Sequence, residues 1–131
     1  MDAREYLEAI KLKLILCPKI RSAEIVDERT VLPNHGYFRA RLTLINGDFL
    51  EISEYFVSDG NQCEPRKYRY QWMDGSHTRL IKRWDNAHHF PLLPNYPHHV
   101  HCGSEDIVEP SRPLGIIELI GIIEQEVESG C

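Results

Sequence analysis

The sequence predicts an α+β fold, a five-stranded, mainly antiparallel twisted sheet flanked by an N-terminal and a C-terminal helix. Three observations carry this reading. Apolar residues recur at spacings of three and four near both ends of the chain, five strand-like stretches fill the middle, and short turn chemistry separates those stretches. The 131 residues suit one domain, 1–131, large enough to bury a core without disulfides or a structural metal.

From Asp2 to Leu16, the apolar residues Leu7, Ile10 and Leu14, with Ala3, Tyr6 and Ile15 beside them, mark an amphipathic helix. Asp2 and Glu5 have the spacing of a capping box, and Pro18 ends the pattern. The five strands are expected over Ala23–Val31, Tyr37–Ile45, Phe49–Val57, Lys67–Met73 and Arg79–Asp85. No separator between them is long enough for a parallel crossover, so consecutive strands should pair antiparallel. At the C-terminus Ser111 is placed to cap a helix and Pro113 to sit in its first turn. Leu114, Ile116, Ile117, Leu119, Ile120, Ile123 and Val127 then form an apolar band running to Gly130. A band this broad belongs packed on the sheet or shared with a second copy, so a homodimer is an expectation.

A three-residue Asn46-Gly47-Asp48 loop would pair Leu44 with Leu50, Leu42 with Ile52, Ala40 with Glu54 and Phe38 with Phe56. That register makes one face apolar and sets a single carboxylate, Glu54, on it. A buried carboxylate needs partners or a raised pKa.

The net charge of −5 conceals a basic ribbon. Between Arg66 and Trp84, the cations Arg66, Lys67, Arg69, Arg79, Lys82 and Arg83 face one anion, Asp74, a local balance of +5. Such a ribbon attracts phosphate or an acidic partner surface. Tyr68, Tyr70 and Trp72 share one parity here, as core aromatics or as a stacking platform, and core packing is the expected role. The four cysteines are scattered, with no C-x-x-C pair, and are expected as thiols. No run of eighteen apolar residues and no signal-like segment is present, so a cytoplasmic protein without a membrane span is expected.

Five of the seven histidines (His88, His89, His98, His99 and His101) fall within fourteen residues that also hold Pro91, Pro94 and Pro97. The prolines stiffen this segment as a loop, and imidazole confines its chemistry to proton transfer, hydrogen bonding or metal ligation. Three readings follow. In the first, His99 and His101, with Asp85 and either His88 or His89, hold a metal of zinc type, as in a metal-dependent hydrolase, although no established zinc spacing is present. In the second, which we prefer, the histidines act without cofactor as acid and base on an RNA phosphodiester. Arg83 or Lys82 then stabilises the transition-state charge, and Asp85 or Glu54 orients an imidazole. In the third, the loop and ribbon are a non-catalytic surface that binds nucleic acid or protein.

Tyr68-Arg69-Tyr70-Gln71-Trp72, then Arg83-Trp84-Asp85-Asn86-Ala87-His88-His89, then Pro97-His98-His99-Val100-His101 and Glu109-Pro110-Ser111 resemble the TumE-like toxin family of bacterial and archaeal toxin–antitoxin pairs. The resemblance covers about half the chain. It implies a small toxin neutralised by a helix-turn-helix antitoxin, and it carries over Arg83, Asp85, Asn86, His88, His89, His98, His99 and His101 without assigning their roles. The family usually has Pro before the second His of the pair, whereas this chain has Ala87-His88-His89, which leaves open which of the two is functional. Many such chains persist as orphans, outside a pair. Arg83, Asp85, His88, His98, His99 and His101 are therefore expected to converge on one cleft with Glu54 facing it. Arg66, Lys67, Arg69, Lys82, Asn86 and His89 are expected to bind RNA or the partner.

Overall fold

A computed structural model describes residues 1–31 and 33–127. Helix α1 (Ala3–Leu16) begins at the expected capping box: the Asp2 carboxylate accepts from the Glu5 amide at 2.8 Å. It buries Ala3, Tyr6, Leu7, Ile10 and Leu14 and stops before Pro18, where the Cys17 amide donates back to the Lys13 carbonyl. Ile15, placed beside that stripe by spacing, is exposed instead.

The sheet has seven strands rather than five: β1 (Ile20–Val31), β2 (His35–Leu44), β3 (Phe49–Ser58), β4 (Cys63–Met73), β5 (Leu80–Asp85), β6 (His99–Cys102) and β7 (Val108–Pro110). They lie in sequence order, and every neighbouring pair is antiparallel. The two additional strands come out of the histidine segment and the turn after it. Their residues, His99-Val100-His101-Cys102 and Val108-Glu109-Pro110, offer almost no apolar alternation; β6 forms because the open edge of β5 supplies hydrogen-bond partners, and β7 because β6 in turn does.

Between β2 and β3 the pairs are Leu42 with Leu50, Ala40 with Ile52, Phe38 with Glu54 and Gly36 with Phe56. The register is displaced by two residues from the expected one because the tight turn is Ile45-Asn46-Gly47. The Gly47 amide bonds the Leu44 carbonyl at 2.9 Å, and Gly47 has φ +92°, a left-handed conformation that glycine adopts without penalty. A displacement of two keeps every side chain on its expected face, so Glu54 still points into the core. Pro65, which cannot donate to a ladder, sits in β4 beside a register shift opposite Tyr55 and Phe56.

One face of the sheet carries Phe38, Ala40, Leu42, Leu50, Ile52, Phe56, Tyr68, Tyr70, Trp72, Trp84 and Val100, all buried in the core with residues of both helices. Tyr68, Tyr70 and Trp72 thus belong to the core, as expected. Gly36 lies opposite Phe56, and a Cβ there would come within 2.4 Å of the Phe56 ring, which is itself fully buried and packed edge-on against Tyr6. Gly36→Ala is therefore expected to destabilise the protein by about 1–3 kcal/mol, as overpacking does, read as a fall in the denaturant midpoint.

Helix α2 (Ile116–Glu126) starts later than Ser111 and Pro113 suggest. Its N-cap is Gly115, which has no side chain to cap with; the Glu54 carboxylate instead accepts from the Ile116 amide at 2.9 Å. An acid 62 residues away in sequence does the work assigned to Ser111. Most of the apolar band is buried within the chain: Leu114, Ile116, Leu119, Ile120, Ile123 and Val127 are buried, Ile117 is half-buried, and the expected continuation to Gly130 lies outside the described residues. Cys17, Cys63 and Cys102 are free thiols. Among the described residues no helix is long and apolar enough to cross a membrane.

Candidate functional site

Strand alternation sorts the expected site residues onto two faces. In β5, Arg83 and Asp85 project to the side away from the helices, while Lys82 and Trp84 project toward them. Pairing with β4 and β6 sets Arg69 and His99 beside Asp85, and Gln71 and His101 beside Arg83. A cleft of about 800 Å³ opens on this face, walled by Arg66, Lys67, Arg69, Arg83, Asp85 and His101, with Asn86, His88, His89 and Glu105 also on its lining.

At its floor Asp85 is buried, its side chain 10% exposed. Oδ1 accepts from the Ala87 amide at 3.0 Å and lies 2.9 Å from His99 Nε2. Oδ2 lies 3.4 Å from Arg83 Nε and 3.7 Å from His101 Nε2. Both imidazoles are buried and held from behind. His99 Nδ1 donates to the Pro97 carbonyl at 2.9 Å, and His101 Nδ1 to the Glu105 carbonyl at 3.0 Å. Phe90, returning from the proline loop, packs edge-on against both rings at centroid distances of 4.9 and 5.9 Å. Burial lowers the His101 pKa, and the Glu105 carbonyl opposes that only in part. Arg83 donates to Glu105 at 3.0 Å and to Gln71 at 3.4 Å, and it holds the exposed Glu105 carboxyl below its usual range.

Four expected positions have other surroundings. Glu54 is fully buried on the helix-covered face, so it does not face the cleft; it accepts from Tyr6 and Tyr70, each at 2.6 Å, and from Ile116. Burial outweighs these donors and raises its pKa. Lys82 also points to the helix side, where it pairs with Glu126 at 2.8 Å and lies over Trp84. His98 turns away from His99 and meets the Tyr68 hydroxyl at 2.9 Å, and burial lowers its pKa. Asn86 lines the cleft but spends its side-chain amide on the backbone, donating to the Arg66 carbonyl at 2.9 Å and accepting from the Tyr68 amide at 3.1 Å. It thereby extends the β4–β5 pairing past the end of the ladder. His88 and His89 remain exposed on the rim, His88 beside the Tyr96 ring.

Glu105, Gln71 and Phe90 were not legible as site residues. Glu105 sits in a Gly103-Ser104-Glu105-Asp106 turn that reads as an ordinary solvated connection, and its role depends on the β6 and β7 pairing.

Fold and cleft together define an α+β protein whose open sheet face carries a cation-rimmed site built on two oriented histidines and a buried aspartate. The family model described as Toxin TumE matches residues 9–130, nearly the whole chain, and the protein belongs to that toxin family. The match extends the resemblance seen in the second half of the sequence to the first half. Membership in a toxin family implies an antitoxin partner. No curated protein and no solved structure matches the chain.

Proposed function

We propose that this toxin acts on RNA, as an endoribonuclease working in the cleft between β4, β5 and the histidine loop, and that a helix-turn-helix antitoxin neutralises it. The observation that carries the reading is the gathering of Arg66, Lys67, Arg69 and Arg83 around a floor of imidazole and carboxylate. The rim cations hold phosphates on either side of the scissile bond, and Arg83 offsets the charge that builds up on the reacting phosphorus. The exposed His88 and His89 stand where a proton carrier reaches a strand lying in the cleft. His99 and His101, each committed at Nδ1 to a carbonyl, offer only Nε2 to chemistry.

The purified chain is expected to cleave RNA. Arg66→Glu, Lys67→Glu and Arg69→Glu together should weaken RNA binding and reduce the slope of log affinity against log salt by about 2, at roughly 0.7 per lost contact to a single strand. An unchanged slope assigns these residues to a solvated surface. RNA left intact with and without divalent metal, while expression still arrests growth, leaves a toxin that acts by binding alone.

A further inference from the structure

We infer that Asp85, His99 and His101 form a three-ligand site for a divalent transition-metal ion of zinc type. One carboxylate oxygen and one ring nitrogen of each imidazole lie within 4.8 Å of one another on the buried floor of the cleft, and it is Nε2 that each ring turns toward Asp85. The inference begins with hydrogen placement. The Pro97 and Glu105 carbonyls can only accept, so in each neutral imidazole the hydrogen sits on Nδ1 and Nε2 carries a lone pair. Two lone pairs and a carboxylate then face one another at the cleft floor, with His99 Nε2 buried and unpartnered among the described residues, an arrangement that suits a cation.

Arg83 meets that need for the carboxylate charge alone and makes no hydrogen bond to either imidazole. Its Nε approaches Oδ2 at 3.4 Å but is itself a buried nitrogen without a hydrogen-bond partner among the described residues, and its terminal nitrogen is committed to Glu105 and Gln71. Nor does a proton on His99 suffice. His99 is 99% buried, and an N–H at Nε2 finds no well-directed acceptor among the described residues although Asp85 Oδ1 is only 2.9 Å away. The carboxylate lies beside the Nε2 axis rather than on it. An ion on that axis accounts for both facts, because it takes the lone pair along the axis and the carboxylate from the side.

Distances agree with this placement. Around an ion bonded at about 2.1 Å, tetrahedral ligands stand about 3.4 Å apart. His99 Nε2 stands 2.9 Å from Oδ1 and His101 Nε2 3.7 Å from Oδ2, so the carboxylate is near both nitrogens through different oxygens, and one ligand atom from each residue fits within 4.8 Å. Backbone carbonyls behind both histidines supply the outer hydrogen bonds that fix tautomer and ring orientation in metal sites, and the Phe90 ring shields the pair. Two imidazoles with one carboxylate select a transition ion over magnesium or calcium, which prefer oxygen ligands, and three protein ligands leave positions open toward the cleft. An ion there polarises a phosphoryl oxygen or a bound water next to Arg83. That catalytic role rests on the reading of the cleft given above, whereas ion binding does not.

The test uses the full chain, stripped with chelator and titrated with Co²⁺ and then Zn²⁺. One ion per chain is expected, with a Co²⁺ visible spectrum that Zn²⁺ displaces. In the imidazole nitrogen NMR spectrum of the unaltered protein, Zn²⁺ should move the Nε2 signals of two histidines, and these should be missing from the spectra of His99→Gln and His101→Gln. Asp85→Asn and His101→Gln should weaken binding by more than about 100-fold, beyond the effect typical of outer-shell changes, while His88→Ala with His89→Ala keeps it. Absence of stoichiometric binding overturns the inference, and so does binding that survives His101→Gln but is lost with His88 and His89. Stoichiometric binding without RNA cleavage overturns the ribonuclease reading alone, whereas cleavage by a stripped protein that binds no ion overturns the metal site alone.

Discussion

Glu54→Ala is expected to destabilise the protein by about 3–5 kcal/mol, the largest stability effect of any single side chain discussed. The change leaves the Tyr6 hydroxyl and the Ile116 amide without their acceptor, at about 1–3 kcal/mol for each buried donor that stays unpaired, while the Tyr70 hydroxyl loses its shorter bond and keeps the Leu114 carbonyl at 2.9 Å. These donors come from α1, β4 and the start of α2, so the loss unties both helices from the sheet. Urea denaturation reads the effect, and a loss below about 1 kcal/mol, the scale of one ordinary hydrogen bond, would show that the carboxylate is not the tie. The pH dependence follows from the raised pKa. The folded state holds the Glu54 proton more tightly than the unfolded chain does, so this contribution is fully present below the unfolded pKa, about 4.3, and is lost as pH rises through the folded value. The stability margin of the natural protein over Glu54→Gln, which does not titrate, is therefore expected to shrink from pH 4 toward pH 8.

Arg83→Ala is expected to lower RNA cleavage by about 10²–10³, the usual cost of removing one group that stabilises transition-state charge. Its terminal contacts, to the exposed Glu105 and to Gln71, contribute little to folding, but the buried Asp85 loses its nearest guanidinium. Arg83→Lys keeps a positive charge beside Asp85 and removes only the planar fork, so it separates the two effects. It should retain the thermal midpoint while still losing at least about 10-fold in cleavage, part of the full electrostatic term. Full activity in both variants would remove Arg83 from the chemistry. Loss of folding in both would make it a structural partner of Asp85.

Much of the fold was legible because it is local. Periodicity at three and four placed α1 and the body of α2, the Asp2 capping box needs only four consecutive residues, and short turns forced the antiparallel order from β1 to β5. The parity that buries Glu54 was legible as well, because a register displaced by two residues preserves faces. Family resemblance was legible in the histidine segment and its flanks, and the family match extends across residues 9–130.

What the tertiary structure alone decided depends on pairing across long stretches of chain. His99-Val100-His101 reads as a proline-flanked loop until β5 offers its open edge; pairing then sets His99 beside Asp85 and His101 beside Arg83, and turns His98 the other way. The same alternation sends Lys82 to Glu126 and Glu54 to the start of α2, removing both from the cleft that composition suggested for them. Residue types in sequence determined which chemistry is available. Strand parity decided which groups share a face, because neighbours along a strand point in opposite directions and only a partner strand brings distant residues together on one side.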